Sequence, residues 1–327
     1  MTIFLSCVQT HLLDFGNLAG SKSCVFLIPI ALPNQIEYNN ISVARTSLVF
    51  YLNLLIMRTF SKPPKSLISC VGKAIADYDM IRARDRILLG LSGGKDSLSL
   101  LHLLLYFQQC APIHFEIGAM TVDPQSPEFD PSPLKAYVKQ LNVPYFYQEQ
   151  PILEEAKQRM KGDSFCAYCA RMKRGIMYTT ARQQGYNVLV LAQHLDDLAE
   201  SFLMSAFHGG RLQTMKAHYV NDAGDIRIIR PLIYARERQT RAFAEAAQFP
   251  VISESCPACF SMPTQRYHIK QLLAQEEQNY KHLFKNLLHT MRPLMTGHPF
   301  HDTARIANPT SADSTGRTTS DCPTSEN

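Results

Sequence analysis

No apolar run in this chain approaches the ~18 residues that a membrane-spanning helix needs. An integral membrane protein is therefore not expected, and a hydrophobic fraction of 46% across 327 residues suits one large globular domain with appendages, or two domains. The nine cysteines are irregularly spaced, which argues against a secreted disulfide framework in a chain this long. There is no internal repeat, so a solenoid or propeller is not expected. A Walker A loop is missing too: Lys95 is followed by Asp96 rather than Ser or Thr, and Leu89 stands where that motif's first glycine belongs. Acidic residues are scarce at the start, where residues 1–64 carry only Asp14 and Glu37. No charged n-region leads an apolar core with a cleavage site there, and arginines are too few for a mitochondrial presequence. That segment, with its runs CVFLIPIAL and SLVFYLNLLIM, is expected to be a leader or a gene-model extension preceding a start at Met57, outside the fold.

What is present centres on residues 86–97, RILLGLSGGKDS. Arg86 to Leu91 has the composition of a buried parallel strand. Ser92, Gly93, Gly94, Lys95, Asp96 and Ser97 follow at once, and LSLLHLLLYFQQ then has the length of a helix. Strand, glycine-rich turn and helix start together make an anion cradle: paired glycines expose backbone N–H groups, and the helix N-terminus adds partial positive charge. Lys95 adds a full charge, and the two serine hydroxyls can donate to phosphate oxygens.

Strand and helix patterns alternate onward. Lys65–Met80 has helical spacing. Ile113–Val122 reads as a strand ending at Asp123, and Pro124, Pro127, Pro131 and Pro133 enforce a loop. SPLKAYVKQLN is helical, PYFYQEQ a strand and LEEAKQRMKG helical. A helix begins at Cys166 and runs through ARMKRGIMYTTARQQG, and NVLVLAQ forms a strand ending at His194. LDDLAESFLMSAFHGG is a helix closed by its glycines, DIRIIRPLI an added strand, and RERQTRAFAEAAQF a helix. One long helix is expected from Gln265 to about Met291, and a Thr/Ser/Asn/Asp-rich disordered tail over residues 293–327. The domain proper is then 65–292. Such alternation implies right-handed crossovers and an α/β fold: a Rossmann-like parallel sheet with helices on both faces and helical additions at its ends.

Ligands bind at the carboxyl edge of such sheets. Asp123, Asp196 and Asp197 would face the glycine loop there, where carboxylates near a triphosphate can hold Mg²⁺, although Asp196 or Asp197 could equally cap a helix. Two C-x-x-C pairs, Cys166/Cys169 and Cys256/Cys259, are metal half-sites. Spacing alone admits a structural zinc, an iron–sulfur cluster or a redox dithiol, in that order. Arg171, Lys173 and Arg174 follow the first pair. Arg227, Arg230, Arg236, Arg238, Arg241, Arg266, His268 and Lys270 make the second half basic, and a net charge of +5 suits a nucleic-acid partner without demanding one.

SGGKDS resembles the pyrophosphate loop of the ATP pyrophosphatases, which cleave ATP between its α and β phosphates. SGGKDS, CAYCARMKRG, AQHLDDLAES, IIRPLIYARER and CPACF, in that order, resemble the tRNA 2-thiolation enzymes over about residues 65–292, and most of all the tRNA 2-thiocytidine (TtcA) family. The resemblance implies an ATP-dependent tRNA sulfurtransferase. ATP would adenylate the C2 oxygen of a cytidine at anticodon-loop position 32, and a sulfur species would displace AMP. It implies ATP, Mg²⁺ and a 4Fe-4S cluster held by three cysteines, with the fourth iron open. By position the ligands are Cys166, Cys169 and one from the CPAC segment, Cys259 in preference to Cys256. Ser92–Ser97 and Asp123 bind ATP, while Asp197 or Asp196 and Lys173 orient groups or handle protons. Implied partners are tRNA and a sulfur donor such as a cysteine desulfurase, in the cytoplasm unless the N-terminal segment is an organellar leader. A homodimer is compatible with this reading. Ala192-Gln193 departs from the family's Gly-His, which bears on the adenine pocket rather than the phosphate chemistry. The thiouridine branch carries zinc ribbons at its ends, whereas Cys7, Cys24, Cys70, Cys110 and Cys322 have no C-x-x-C spacing here. Thiouridine synthesis and a zinc-containing amide ligase with the same loop are the alternatives.

Overall fold

A computed structural model describes residues 60–126, 129–159, 165–252 and 265–296. Residues 1–59 of the expected leader, the CPAC segment and residues 297–327 of the expected tail lie outside the described residues, whereas 293–296, expected to be disordered, are ordered as a 3₁₀ turn and its end. In chain order the elements are α1 (Lys65–Asp77), β1 (Arg86–Gly90), α2 (Lys95–Cys110), β2 (Glu116–Asp123), α3 (Ser132–Gln140), β3 (Tyr145–Glu149), α4 (Ile152–Arg159) and α5 (Phe165–Gln184). There follow β4 (Val188–Val190), α6 (Leu195–Gly209), β5 (His218–Val220), β6 (Arg227–Ile229), α7 (Glu237–Ala246), α8 (Gln265–Asn279), α9 (Leu283–Met291) and a 3₁₀ turn, Arg292–Met295.

The strands form one sheet in the order β3-β2-β1-β4-β6-β5. The first five run parallel, and β5 alone is antiparallel, paired to β6. The chain winds outward from β1 to β3 and then returns to place β4 on the other side of β1. The carboxyl ends of β1 and β4 therefore flank the topological switch point, the crevice where open α/β sheets bind ligands.

The pleat divides the core between the two faces. Ile87, Leu89, Val188, Val190 and Ile229 join one cluster with α1, α2, α3, α6, α7, α8 and α9. Their neighbours Leu88, Leu189 and Ile228 join the other, with Met177 and Ala181 of α5. Helix α2 is buried all round from Ser97 to Leu105, which is why its sequence has no polar face. Its one awkward residue, His102, is fully buried and satisfied: Nδ1 accepts the Ser61 amide at 3.0 Å and Nε2 lies 2.7 Å from the Tyr137 hydroxyl.

The sequence reading missed β5 and joined α8 to α9. Strand β5 is only three residues long and pairs through a hairpin whose Gly224 has φ +77. The long helix ends at Asn279, past its apolar stripe of Ile269 and Leu273. Beyond Tyr280 the chain turns so that Phe284 packs under Arg236, 3.3 Å from guanidinium carbon to ring centroid. The packed chain continues to Met295, which is fully buried and accepts the Ala217 amide at 2.9 Å.

Candidate active site

The loop after β1 has the geometry of an anion cradle. Gly93 sits at φ +88, and its carbonyl accepts the Ile252 amide at 3.0 Å. Gly94 is the N-cap of α2. The Ser97 hydroxyl donates to Gly94 O at 2.9 Å and lies 3.3 Å from Ser92 Oγ, which tightens the turn. The first amide of α2 that reaches a backbone acceptor is Leu98's, to Gly94 O at 3.1 Å. Those of Lys95, Asp96 and Ser97 belong to the open first turn, where an anion is the natural acceptor.

Two more helices begin at the same place. Neighbouring strands β1, β4 and β6 lead into α2, α6 and α7, whose N-termini are laced together by side chains. His194 caps α6: its Nδ1 accepts the Asp197 amide at 3.3 Å, and the Asp197 carboxylate accepts the His194 amide at 3.0 Å. An imidazole accepting at Nδ1 carries its proton on Nε2, which faces Asp96 Oδ2 at 3.7 Å. Asp196 accepts Arg236 Nε at 3.1 Å and the Glu237 amide at 2.8 Å, so it binds the start of α6 to the start of α7. Asp96 accepts the Thr240 hydroxyl from α7.

Lys95 reaches Asp96 and Glu237, each at 3.1 Å. Burial works against its charge, yet the two carboxylates win and hold its pKa above the usual lysine value. Burial would raise the pKa of Glu237, but Lys270 and Lys95 bring it down to about 2. Glu200, buried on α6 beside Arg266 at 2.9 Å, has its pKa raised by desolvation despite that arginine.

The residues expected from sequence are thus partly gathered. Lys95, Asp96, His194, Asp196 and Asp197 form one cluster. Asp197 has an oxygen to spare, since its Oδ1 lies 3.9 Å from Arg266, whereas Asp196 is occupied by Arg236 and Glu237. Asp123 stands apart at the end of β2. Both its oxygens are engaged, by Tyr147's hydroxyl and by the Gln125 amide at 2.7 Å, and Tyr147's pKa is raised by burial and by that carboxylate. Among the described residues no group of three His, Cys, Asp or Glu side chains gathers as a metal site. Gln193, the family departure, accepts Arg230 Nε at 2.9 Å and so ties down a buried guanidinium. Glu237, Thr240 and Glu200 were missed, and only the helix-start position of Glu237 beside Arg236 hinted at a role.

Helix α5 carries the first cysteine pair on the opposite face of the sheet. Its last turn lies at the amino edge, where Arg86 donates to Gln184 O at 3.0 Å, so the helix runs against the strands. Met177 lies at the carboxyl end of β1, since a Cβ on Gly90 would be 3.0 Å from its sulfur. Counting back at 1.5 Å per residue, Cys169 stands roughly 12 Å further along the helix, beyond the carboxyl edge. Cys166 lies three residues earlier, in the first turn. Lys173 is half-buried one turn after Cys169. No hydrogen bond or ion pair among the described residues joins it to the loop cluster. Cys256 and Cys259 lie outside the described residues, but the chain on either side of them is fixed at this edge. Ile252 is bonded to Gly93, and Arg266 pairs with Glu200 and reaches Asp197.

A family model described as a PP-loop domain matches residues 66–295. The tRNA-cytidine(32) 2-sulfurtransferase of Geobacter sulfurreducens is 36% identical over 228 residues, covering 69% of this chain and 89% of that protein. Its counterpart in Psychromonas ingrahamii is 36% identical over 248 residues, 75% of this chain and 79% of the relative. Among solved structures, the U34-tRNA thiolase NcsA from Methanococcus maripaludis, with its 4Fe-4S cluster, aligns with a TM-score of 0.58 at 19% identity. That alignment covers 71% of this chain and 78% of that one, a likeness in fold. With the loop, the strand order and these relatives in agreement, the chain belongs to the PP-loop domain family and, within it, to the tRNA-cytidine(32) 2-sulfurtransferases.

Proposed function

We propose that this protein is an ATP-dependent tRNA 2-thiolation enzyme acting on the cytidine at position 32 of the anticodon loop. The observation that carries the reading is the meeting of three helix N-termini on SGGKDS at the switch point of the sheet, with α5 bringing a C-x-x-C pair above the same edge. Open helix starts and a lysine favour the charge of a leaving pyrophosphate.

In the first step the cytidine O2 attacks the α-phosphorus, the bond to the β-phosphate oxygen breaks, and pyrophosphate departs. Ser92, Gly93, Gly94, Lys95, Asp96 and Ser97 hold the phosphates. Asp197 takes up a proton or would help hold a Mg²⁺ ion, which would offset charge on the phosphates, and Asp123 shapes the β2 end of the pocket. In the second step a sulfur nucleophile at the oxidation level of sulfide adds to C2, and AMP leaves with the original oxygen. The base then carries C=S with no net redox change. Lys173, a turn from Cys169, steadies the negative charge that grows on the departing AMP.

Cys166 and Cys169 fit two of three thiolate ligands, one helical turn apart on one element. With Cys259 as third ligand they would hold a 4Fe-4S cluster, which would supply an iron site for the incoming sulfur. Such thiolates persist in a reducing compartment, so the proposed site of action is the cytoplasm, with sulfur from a donor of the cysteine desulfurase kind. Among the described residues no helix is long and apolar enough to cross a membrane.

Mass spectrometry of tRNA nucleosides from cells with and without the protein tests this reading. Loss of 2-thiocytidine on its removal is expected, while loss of 2-thiouridine instead would reassign the substrate. Anaerobically purified protein that is colourless, with stoichiometric zinc and no iron, would overturn the cluster.

A further inference from the structure

Glu237 lies at the mouth of the phosphate loop but has a surplus of cations. Its Oε1 is 3.1 Å from Lys95 Nζ and 2.9 Å from Arg241, and its Oε2 is 2.7 Å from Lys270 of α8. Its side chain is only 12% exposed, and its amide is held by Asp196. Lys95 is the loop's one full positive charge, and in this arrangement it points at Glu237 and Asp96 rather than at the loop amides.

We infer that Glu237 is the positioning residue for Lys95, a latch that holds the ammonium against α7 and yields it to a polyphosphate. This rests on the ATP-dependent reading above and adds a residue to it. The exchange is cheap on both sides. When Lys95 swings to phosphate, Glu237 keeps Lys270 and Arg241, and Asp96 keeps Thr240, so no buried carboxylate is left without a partner. An incoming ligand must outcompete two carboxylates for the lysine, Glu237 and Asp96, which a triphosphate does better than a monophosphate. The latch thus lowers the apparent affinity by the fraction of protein in which Lys95 is free.

Isothermal titration of ATP, without tRNA, tests it. Glu237→Gln removes the charge that, with Asp96, holds Lys95, and its single amide oxygen can serve Lys270 or Arg241 but not both; the ammonium is left to Asp96 alone, and the Kd should fall roughly tenfold. In a Lys95→Met background the same substitution should change Kd less than about twofold, because there is no longer anything to release. Equal tightening in both backgrounds would mean simple charge repulsion and would overturn the latch. So would unchanged or weaker binding in Glu237→Gln alone. Should Lys95→Met bind too weakly to titrate, peptide-mapped acylation of Lys95 in nucleotide-free protein decides. Faster labelling in Glu237→Gln supports the latch, and an unchanged rate overturns it. Wild-type protein that fails to bind ATP would overturn the functional reading and the latch together, whereas wild-type binding with no Glu237→Gln effect sinks the latch alone.

Discussion

Gly93 is the residue whose backbone leaves least choice. At φ +88 any L side chain is strained, and a Cβ would lie 3.1 Å from Ile252 Cδ1 and 3.2 Å from its Cβ. Gly93→Ala is expected to cost about 1–3 kcal/mol and to disturb the bond that seats Ile252, so a urea midpoint and an ATP titration should both fall. His102 makes a second prediction through acid. Burial lowers its pKa to about 4, so the folded state keeps it neutral while the unfolded chain protonates near pH 6.5. Because the unfolded state binds the extra proton, stability drops as pH falls from about 6.5 towards 4, by at most about 3 kcal/mol. Glu237 acts in a lower window. Its pKa is lowered to about 2, so its contribution is present above about pH 4.5 and is lost between there and 2. His102→Gln should therefore flatten the stability profile between pH 6.5 and 4.5 and leave the steeper loss below it. Urea midpoints measured across that range, unchanged in shape by the substitution, would show that His102 is not the responsible group.

At the scale of elements, Arg236 joins more helices than any sequence pattern advertises. It caps α7, pairs with Asp196 at the start of α6, grips Glu277 of α8 at 2.6 and 2.8 Å, and covers the ring of Phe284 on α9. A lysine keeps the charge but loses the fork and the stacked plane. Arg236→Lys should cost about 1–3 kcal/mol, with α8 loosening first. Hydrogen exchange should then speed up in peptides covering Gln265–Asn279 while the interior of α2 stays protected. The glycine loop and the alternation of strand and helix were legible in the sequence because each is local: an apolar run, a glycine pair, a helical stripe. Arg236 was not, since Asp196 and Glu277 lie 40 and 41 residues away. Thr240 on Asp96 spans 144. For the same reason the split between α8 and α9 was missed: Glu276 and Glu277 are good helix formers, and what ends the helix is the packing of Phe284 beneath an arginine from elsewhere.

Across the whole molecule, the sheet separates the two halves of the proposed chemistry. The glycine loop leads into α2 on one face, whose core includes Leu98, Leu101 and Phe243. Helix α5, with the first cysteine pair, lies on the other, seated by Met177 and Ala181 against Leu88 and Leu189. The two cores share strands but not side chains, and the sites come together only past the carboxyl edge. Substitutions in one half should therefore leave the other folded, with additive effects on binding. Cys166→Ala is expected to lose iron and all 2-thiocytidine while its ATP Kd stays within about twofold of wild type. Ser97→Ala removes a hydroxyl from the phosphate loop and its 2.9 Å bond to Gly94 O. It should weaken ATP roughly tenfold, the weight of one charge-assisted hydrogen bond, and keep its full iron content. Iron assay and ATP titration on the same anaerobic preparations give both numbers for each variant. If either substitution abolished iron and nucleotide binding together, the cysteines or the serine would be holding up the common edge of the sheet, and the division of labour between its faces would have to be abandoned.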